Sequence, residues 1–132
     1  DKTNPAVVFA DLRRESHTLC DGRGLEISPD VQADFRAMPF PDNSFHLVIF
    51  DPPHMTSLGE ASWMAKKYGK LFADWQDDLR AGFSECWRVL APLGTLVFKW
   101  NETAISVEKL FPLFPARPLI GIYQGSIQKH TG

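Results

Sequence analysis

Apolar residues fall into short continuous runs in the first half of the chain and into a helical spacing in the second. The run Ala6-Val7-Val8-Phe9-Ala10, ending at Asp11, predicts a strand buried on both faces. Residues 17–20 and 25–27 are two further short runs, with Asp21-Gly22 and Gly24 between them, and predict a hairpin. Residues 31–35 predict a short strand, and Asp42-Asn43 marks a turn. The segment 45–50, Phe-His-Leu-Val-Ile-Phe, is the clearest strand and runs into Asp51-Pro52-Pro53. Leu79, Phe83, Cys86, Trp87 and Leu90 then recur at steps of three and four, which predicts an amphipathic helix over 74–90. Asp74 is its expected N-cap, Asp77 and Asp78 suit its first turn, and Pro92 and Gly94 are expected to end it. Residues 95–100 predict the next strand, Ser106 the cap of a short helix, and residues 119–123 a last strand. Strands alternating with helices indicate an α/β domain with a largely parallel sheet.

Composition narrows the class. The 132 residues make one domain, 44% apolar and 23% charged, which is ordinary for a globular chain and excludes a disordered or fibrous one. A net charge of −2 argues against a bulk basic nucleic-acid binder but leaves room for a local basic patch. Cys20 and Cys86 lie too far apart for ligand-like spacing, so no metal site is expected. Two free thiols fit a reducing, cytoplasmic interior. No apolar run approaches the ~20 residues that span a bilayer, and no signal peptide is legible. His17, His46 and His130 have no ligand-like partners, and Cys86, Trp75 and Trp87 read as packing residues.

In open α/β sheets ligands bind outside the carboxyl ends of the strands. The residues there are Asp11, then Asp34 and Phe35, then Asp51, and finally Lys99, Trp100, Asn101 and Glu102. Asp is a common turn starter, but three strands in succession ending in Asp read better as a site. The sharpest feature is Asp51-Pro52-Pro53-His54 directly after an apolar strand. Each proline fixes its own φ, biases the preceding residue toward an extended shape and donates no N–H. The product is a rigid, acceptor-rich corner followed by a flat ring. Such a corner suits an exocyclic amino group, which donates to Asp51 and to the Pro52 carbonyl while His54 stacks on the heterocycle. The plainer reading of the same residues is a proline-stiffened exit turn with His54 at the surface.

The Asp-Pro-Pro-aromatic corner resembles the motif of class I S-adenosylmethionine-dependent methyltransferases acting on exocyclic amines. The stretch 34–48 leading to it also looks like the corresponding stretch of many class I methyltransferases. From about residue 6 to residue 102 the chain is similar to small bacterial and phage methyltransferase-like proteins. These share the Asp-Pro-Pro-His corner, a Lys-Tyr-Gly element (Lys67-Tyr68-Gly69) and a Phe-Lys-Trp-Asn-Glu strand end (residues 98–102). The resemblance implies a Rossmann-like fold and S-adenosyl-L-methionine as cofactor. Asp11 would then bind the cofactor's ribose hydroxyls, and Asp34 its adenine amino group, with Phe35 against the ring. Asp51 would stand between cofactor and acceptor. Asp51, Pro52, Pro53 and His54 would hold the acceptor nitrogen, with Trp100 and Asn101 lining the same pocket.

The chain departs from that family at its first strand and Gly-containing loop, which cradle the methionine end of the cofactor, and at its last strand. Gly22-Arg23-Gly24 reads as a hairpin turn instead. With Asp1 in place of an initiator Met, the chain reads as trimmed at both ends, a single methyltransferase-like domain over 1–132. The position of the lost strand, between those ending at Asp11 and Asp51, is expected to be filled by a partner chain, by shifted strands or by upstream residues. Between His54 and Asp74, the residues Trp63, Lys67 and Tyr68, with Met55, Met64, Lys66 and Lys70, read in either of two ways. They are a surface that stacks bases and meets phosphates, or an amphipathic helix with its lysines in water. The function expected is methyl transfer to an exocyclic amino nitrogen, with a nucleobase of DNA or RNA as the acceptor. A small-molecule or protein methyltransferase, and a non-catalytic methyltransferase-like binding module, are the alternatives.

Overall fold

A computed structural model describes residues 2–54 and 73–121. The fold is mixed α/β, built from three two-stranded sheets, one α-helix and one 3-10 helix among the described residues. The strands are β1 (Ala10–Asp11), β2 (Glu15–Thr18), β3 (Gly24–Ile27), β4 (Val31–Gln32), β5 (Phe45–Phe50) and β6 (Leu90–Phe98). Helix α1 (Trp75–Val89) lies between β5 and β6, and the 3-10 helix (Val107–Leu113) follows β6. Strands β1 and β4 pair in parallel, β5 and β6 pair in parallel, and β2 and β3 form an antiparallel hairpin.

The β5–α1–β6 unit holds the core. Its register sets Val48 beside Leu96 and Phe50 beside Phe98. Because side chains alternate along a strand, these four share the face that α1 covers. Leu79, Phe83 and Cys86 on α1 close over them, and Ile105, Leu110 and Leu113 complete the cluster. Phe83 sits at its centre, edge-on to Phe50, Phe98 and Phe114. The close approach depends on Gly82, where a Cβ would lie 2.6 Å from the Phe35 ring and 2.7 Å from the Phe50 ring. Burial pushes the Cys86 thiol up to about 12, with the Glu85 carboxylate adding to the effect, so it is a neutral core side chain. Cys20 is exposed.

Several expectations are corrected. The first strand covers only Ala10 and Asp11, and Val7 and Val8 ahead of it are 41% and 46% exposed rather than buried on both faces. Strand β4 stops at Gln32, before Asp34 and Phe35. Helix α1 ends at Val89, before Pro92 and Gly94, and passes directly into β6. Phe45 pairs with Leu90 and Leu47 with Thr95, so residues 91–94 are an excursion opposite His46. Leu93 stands at a positive φ of 64° within it, and a Cβ on Gly94 would meet the Ala91 carbonyl at 2.8 Å. The regular ladder starts at Thr95, where the strand after the helix was expected. Neither Asp74 nor Ser106 makes a side-chain cap. Glu102 does that work for the 3-10 helix, its carboxylate accepting the Val107 N–H at 2.6 Å. Trp75 packs against the core as expected, whereas Trp87 is exposed. Residues 119–121 form no strand, and the rest of that expected element lies outside the described residues.

The sheet is not continuous. Among the described residues β1 pairs only with β4, and β5 only with β6, so both strands present an unpaired edge. Of the expected fillers, a shifted strand of this chain is not found among the described residues.

Candidate functional site

The parallel ladder of β5 and β6 carries one step past its ends: the Lys99 N–H donates to the Phe50 carbonyl at 3.0 Å. This puts Lys99 across from Asp51, and its Nζ donates to Asp51 Oδ2 at 2.8 Å. Both side chains are open to water, Asp51 46% and Lys99 70% exposed. Pro52 is buried, and Pro53 and His54 are half-buried, so the prolines anchor the corner while its carboxylate stays accessible. The sequence explains this directly. Two prolines cannot extend the ladder, so the chain turns out of the sheet at the point where Asp51 leaves it.

Trp100 follows Lys99 just past the end of β6. Its indole N–H donates to the Ile105 carbonyl at 2.8 Å, and its ring stacks on Phe98 with centroids 5.7 Å apart. The His54 ring stands edge-on to Trp100 at 6.1 Å. His54 and Trp100 thus meet at the carboxyl ends of two adjacent strands, where Asp51 pairs with Lys99. Asn101 follows in the same turn, with its side-chain oxygen accepting from the Thr103 N–H at 2.9 Å and from the Thr103 hydroxyl. That leaves its amide nitrogen as the group able to meet a ligand.

The β1–β4 pair carries the other two carboxylates. Asp11 is the last residue of β1, and its carbonyl accepts the Ala33 N–H at 3.0 Å, which brings Asp34 to the neighbouring strand end. Each carboxylate is clasped by the arginine two residues on. Asp11 Oδ1 accepts the Arg13 N–H at 2.8 Å, and the guanidinium grips both carboxylate oxygens. Asp34 repeats the arrangement with Arg36, whose guanidinium also reaches Asp78 on α1 at 2.9 Å. The Arg36 hydrogen bonds hold the Asp34 carboxyl below its ordinary range. Asp21 and Arg23 form the same clasp in the hairpin turn. The recurrent Asp-x-Arg spacing was legible as a signal: an Asp that turns the backbone brings the arginine at i+2 within reach of its own carboxylate.

Phe35 turns inward, its ring 5.4 Å from Phe50 and edge-on to it, and joins the core rather than standing clear at the surface. Trp63, Lys67 and Tyr68 lie outside the described residues, as does the helix or base-stacking surface expected there. Among the described residues no group of three or more His, Cys, Asp and Glu side chains could hold a metal ion. None of their helices is long and apolar enough to cross a membrane. His17 pairs with Glu15 at 2.7 Å.

The described residues fit the two halves of S-adenosyl-L-methionine unequally. Asp11 and Asp34 are acceptors at adjacent strand ends, which suits ribose hydroxyls and an adenine amino group. Gly22 and Gly24 offer no cradle for the methionine end: the Gly22 N–H is spent on the Leu19 carbonyl inside the hairpin, and Gly24 pairs with Thr18. Comparisons with protein-family models, with curated proteins and with solved structures returned no match.

Proposed function

We propose that this chain is the core of a class I S-adenosylmethionine-dependent methyltransferase that acts on an exocyclic amino nitrogen, with a nucleobase of DNA or RNA as the acceptor. One observation carries the reading: where the chain leaves a parallel strand pair, the Asp51-Pro52-Pro53-His54 corner keeps its carboxylate open to water and sets His54 against Trp100. The cofactor, when bound, supplies an electrophilic methyl group. Asp51 accepts an N–H from the acceptor and stabilises the positive charge that grows on its nitrogen. The Pro52 carbonyl is the second acceptor, Pro53 holds the turn, and His54, braced edge-on by Trp100, stacks on the heterocycle. A base within a duplex is flipped out to reach them. Asp11 and Asp34 hold the nucleoside part of the cofactor once Arg13 and Arg36 yield. A cytoplasmic setting goes with the two unpaired thiols, Cys20 and Cys86.

The test is transfer of labelled methyl to candidate nucleic acids. Asp51→Ala is expected to lower turnover by about 10²–10³, the scale for losing one preorganised polar group, with little change in cofactor affinity. Asp51→Asn should keep partial activity, and His54→Tyr should be tolerated better than His54→Ala. Full turnover by Asp51→Ala on a verified substrate would leave a proline-stiffened turn and nothing more.

A second reading is a non-catalytic binding module. It is favoured by the clasps, since Asp11 and Asp34 are already satisfied by the chain's own arginines. Calorimetric titration with S-adenosyl-L-methionine separates the two: a catalytic domain binds it, and a module with permanently closed clasps does not.

A further inference from the structure

The Asp51 carboxylate does not meet a ligand alone, because the β5–β6 register fixes a cation beside it. Lys99 stands opposite Asp51 through the backbone bond to Phe50, and its ammonium lies on Oδ2 at 2.8 Å. The strand end is held firmly, because Trp100 is bonded to Ile105 and stacked on Phe98. We infer that Lys99 is a specificity-determining residue of this corner, admitting an uncharged aromatic amino group and rejecting an aliphatic ammonium.

The inference rests on the acceptor reading of Asp51. An aliphatic amine is protonated at neutral pH, and a lone carboxylate would hold it as an unreactive ion pair. With Lys99 in place, that ligand meets a second positive charge at neighbouring distance. The repulsion is worth about fivefold in affinity at ~4 Å in water. An amino group conjugated to a heterocycle is uncharged, does not feel the repulsion, and finds Asp51 Oδ1 as its acceptor.

The experiment is an NMR titration of the protein with cytidine and, separately, with butylammonium chloride, read on the His54 ring protons and the Trp100 indole N–H. Lys99 is largely exposed, so its replacement leaves the core untouched. In Lys99→Met the affinity for butylammonium should rise about fivefold while that for cytidine changes little, and Lys99→Arg should restore the original ratio. If cytidine still perturbs both rings but the ratio is the same in all three proteins, Lys99 has no part in selection and the acceptor reading survives. If neither probe perturbs His54 in any of them, the acceptor corner itself is wrong and the inference falls with it.

Discussion

The two parallel strand pairs among the described residues differ in how much of them is covered. The β5–β6 pair lies under α1 and the 3-10 helix, with Phe50, Phe83, Phe98 and Phe114 interlocked beneath it. The β1–β4 pair is two residues long on each strand, and the apolar Val7 and Val8 leading into it remain exposed. A parallel pair has no short hairpin to hold it together, so its stability comes from what packs on its faces. The contrast repeats within β5–β6. Its covered face holds Val48, Phe50, Leu96 and Phe98, while Leu47, Ile49 and Val97 on the other face are 56%, 65% and 44% exposed. The amide ladder is the same on both sides, and the helix makes the difference.

The largest expected effect follows from that contrast. Phe83→Ala removes the central ring of the covered unit and should lower unfolding stability by about 3–5 kcal/mol in chemical denaturation. Val8→Ala, at an exposed apolar position, should stay within about 0.5 kcal/mol. Equal losses for the two would show that the β1–β4 region is as tightly packed as the core and would end the comparison.

Gly82→Ala comes next. The added methyl would press on the Phe35 and Phe50 rings at contact distances that side chains do not tolerate. Overpacking of this kind costs about 1–3 kcal/mol. Because Phe35 belongs to the segment after β4, the variant should also perturb the Asp34–Arg36 clasp, visible as a shift of the Arg36 side-chain resonances. A change confined to α1 would mean that the two parallel pairs are not coupled through Phe35.

The smallest effect concerns the polar seam between α1 and the segment that precedes β5. Glu85 accepts the Met38 N–H at 2.7 Å and pairs with Arg88, which in turn donates to the carbonyls of Met38 and Phe40 and to Asp42. The Arg88 hydrogen bonds hold the Glu85 carboxyl below the ordinary glutamate value of 4.5. A carboxyl depressed on folding adds stability above its unfolded pKa, and the gain fades as pH falls through the folded value. Stability should therefore drop on acidification below about pH 4.5, and Glu85→Gln should flatten that part of the curve. An unchanged acid limb would assign the pH dependence to other carboxylates, Asp34 first among them.

Much of this was legible along the chain. The period of Leu79, Phe83, Cys86 and Leu90 located α1 because a helix must repeat its buried residues every three or four positions, whatever it packs against. The run 45–50 and the prolines after it located β5 and the point where it leaves the sheet, because a proline cannot continue the ladder. What remained hidden depends on residues distant in sequence. The apolar run at residues 6–10 predicts a buried strand, but only its last residue pairs, because its partner β4 is two residues long and Val7 and Val8 stay exposed. The cation on Asp51 was beyond reach for the same reason: nothing local connects it to Lys99, and only the parallel register of β5 and β6 sets them side by side. Periodicity and the proline pair located α1, β5 and the acidic end of β5 at Asp51. Tertiary structure alone decided which carboxylate meets Lys99 and which parallel pair lies under the helix, because pairing and packing join positions that the chain keeps apart.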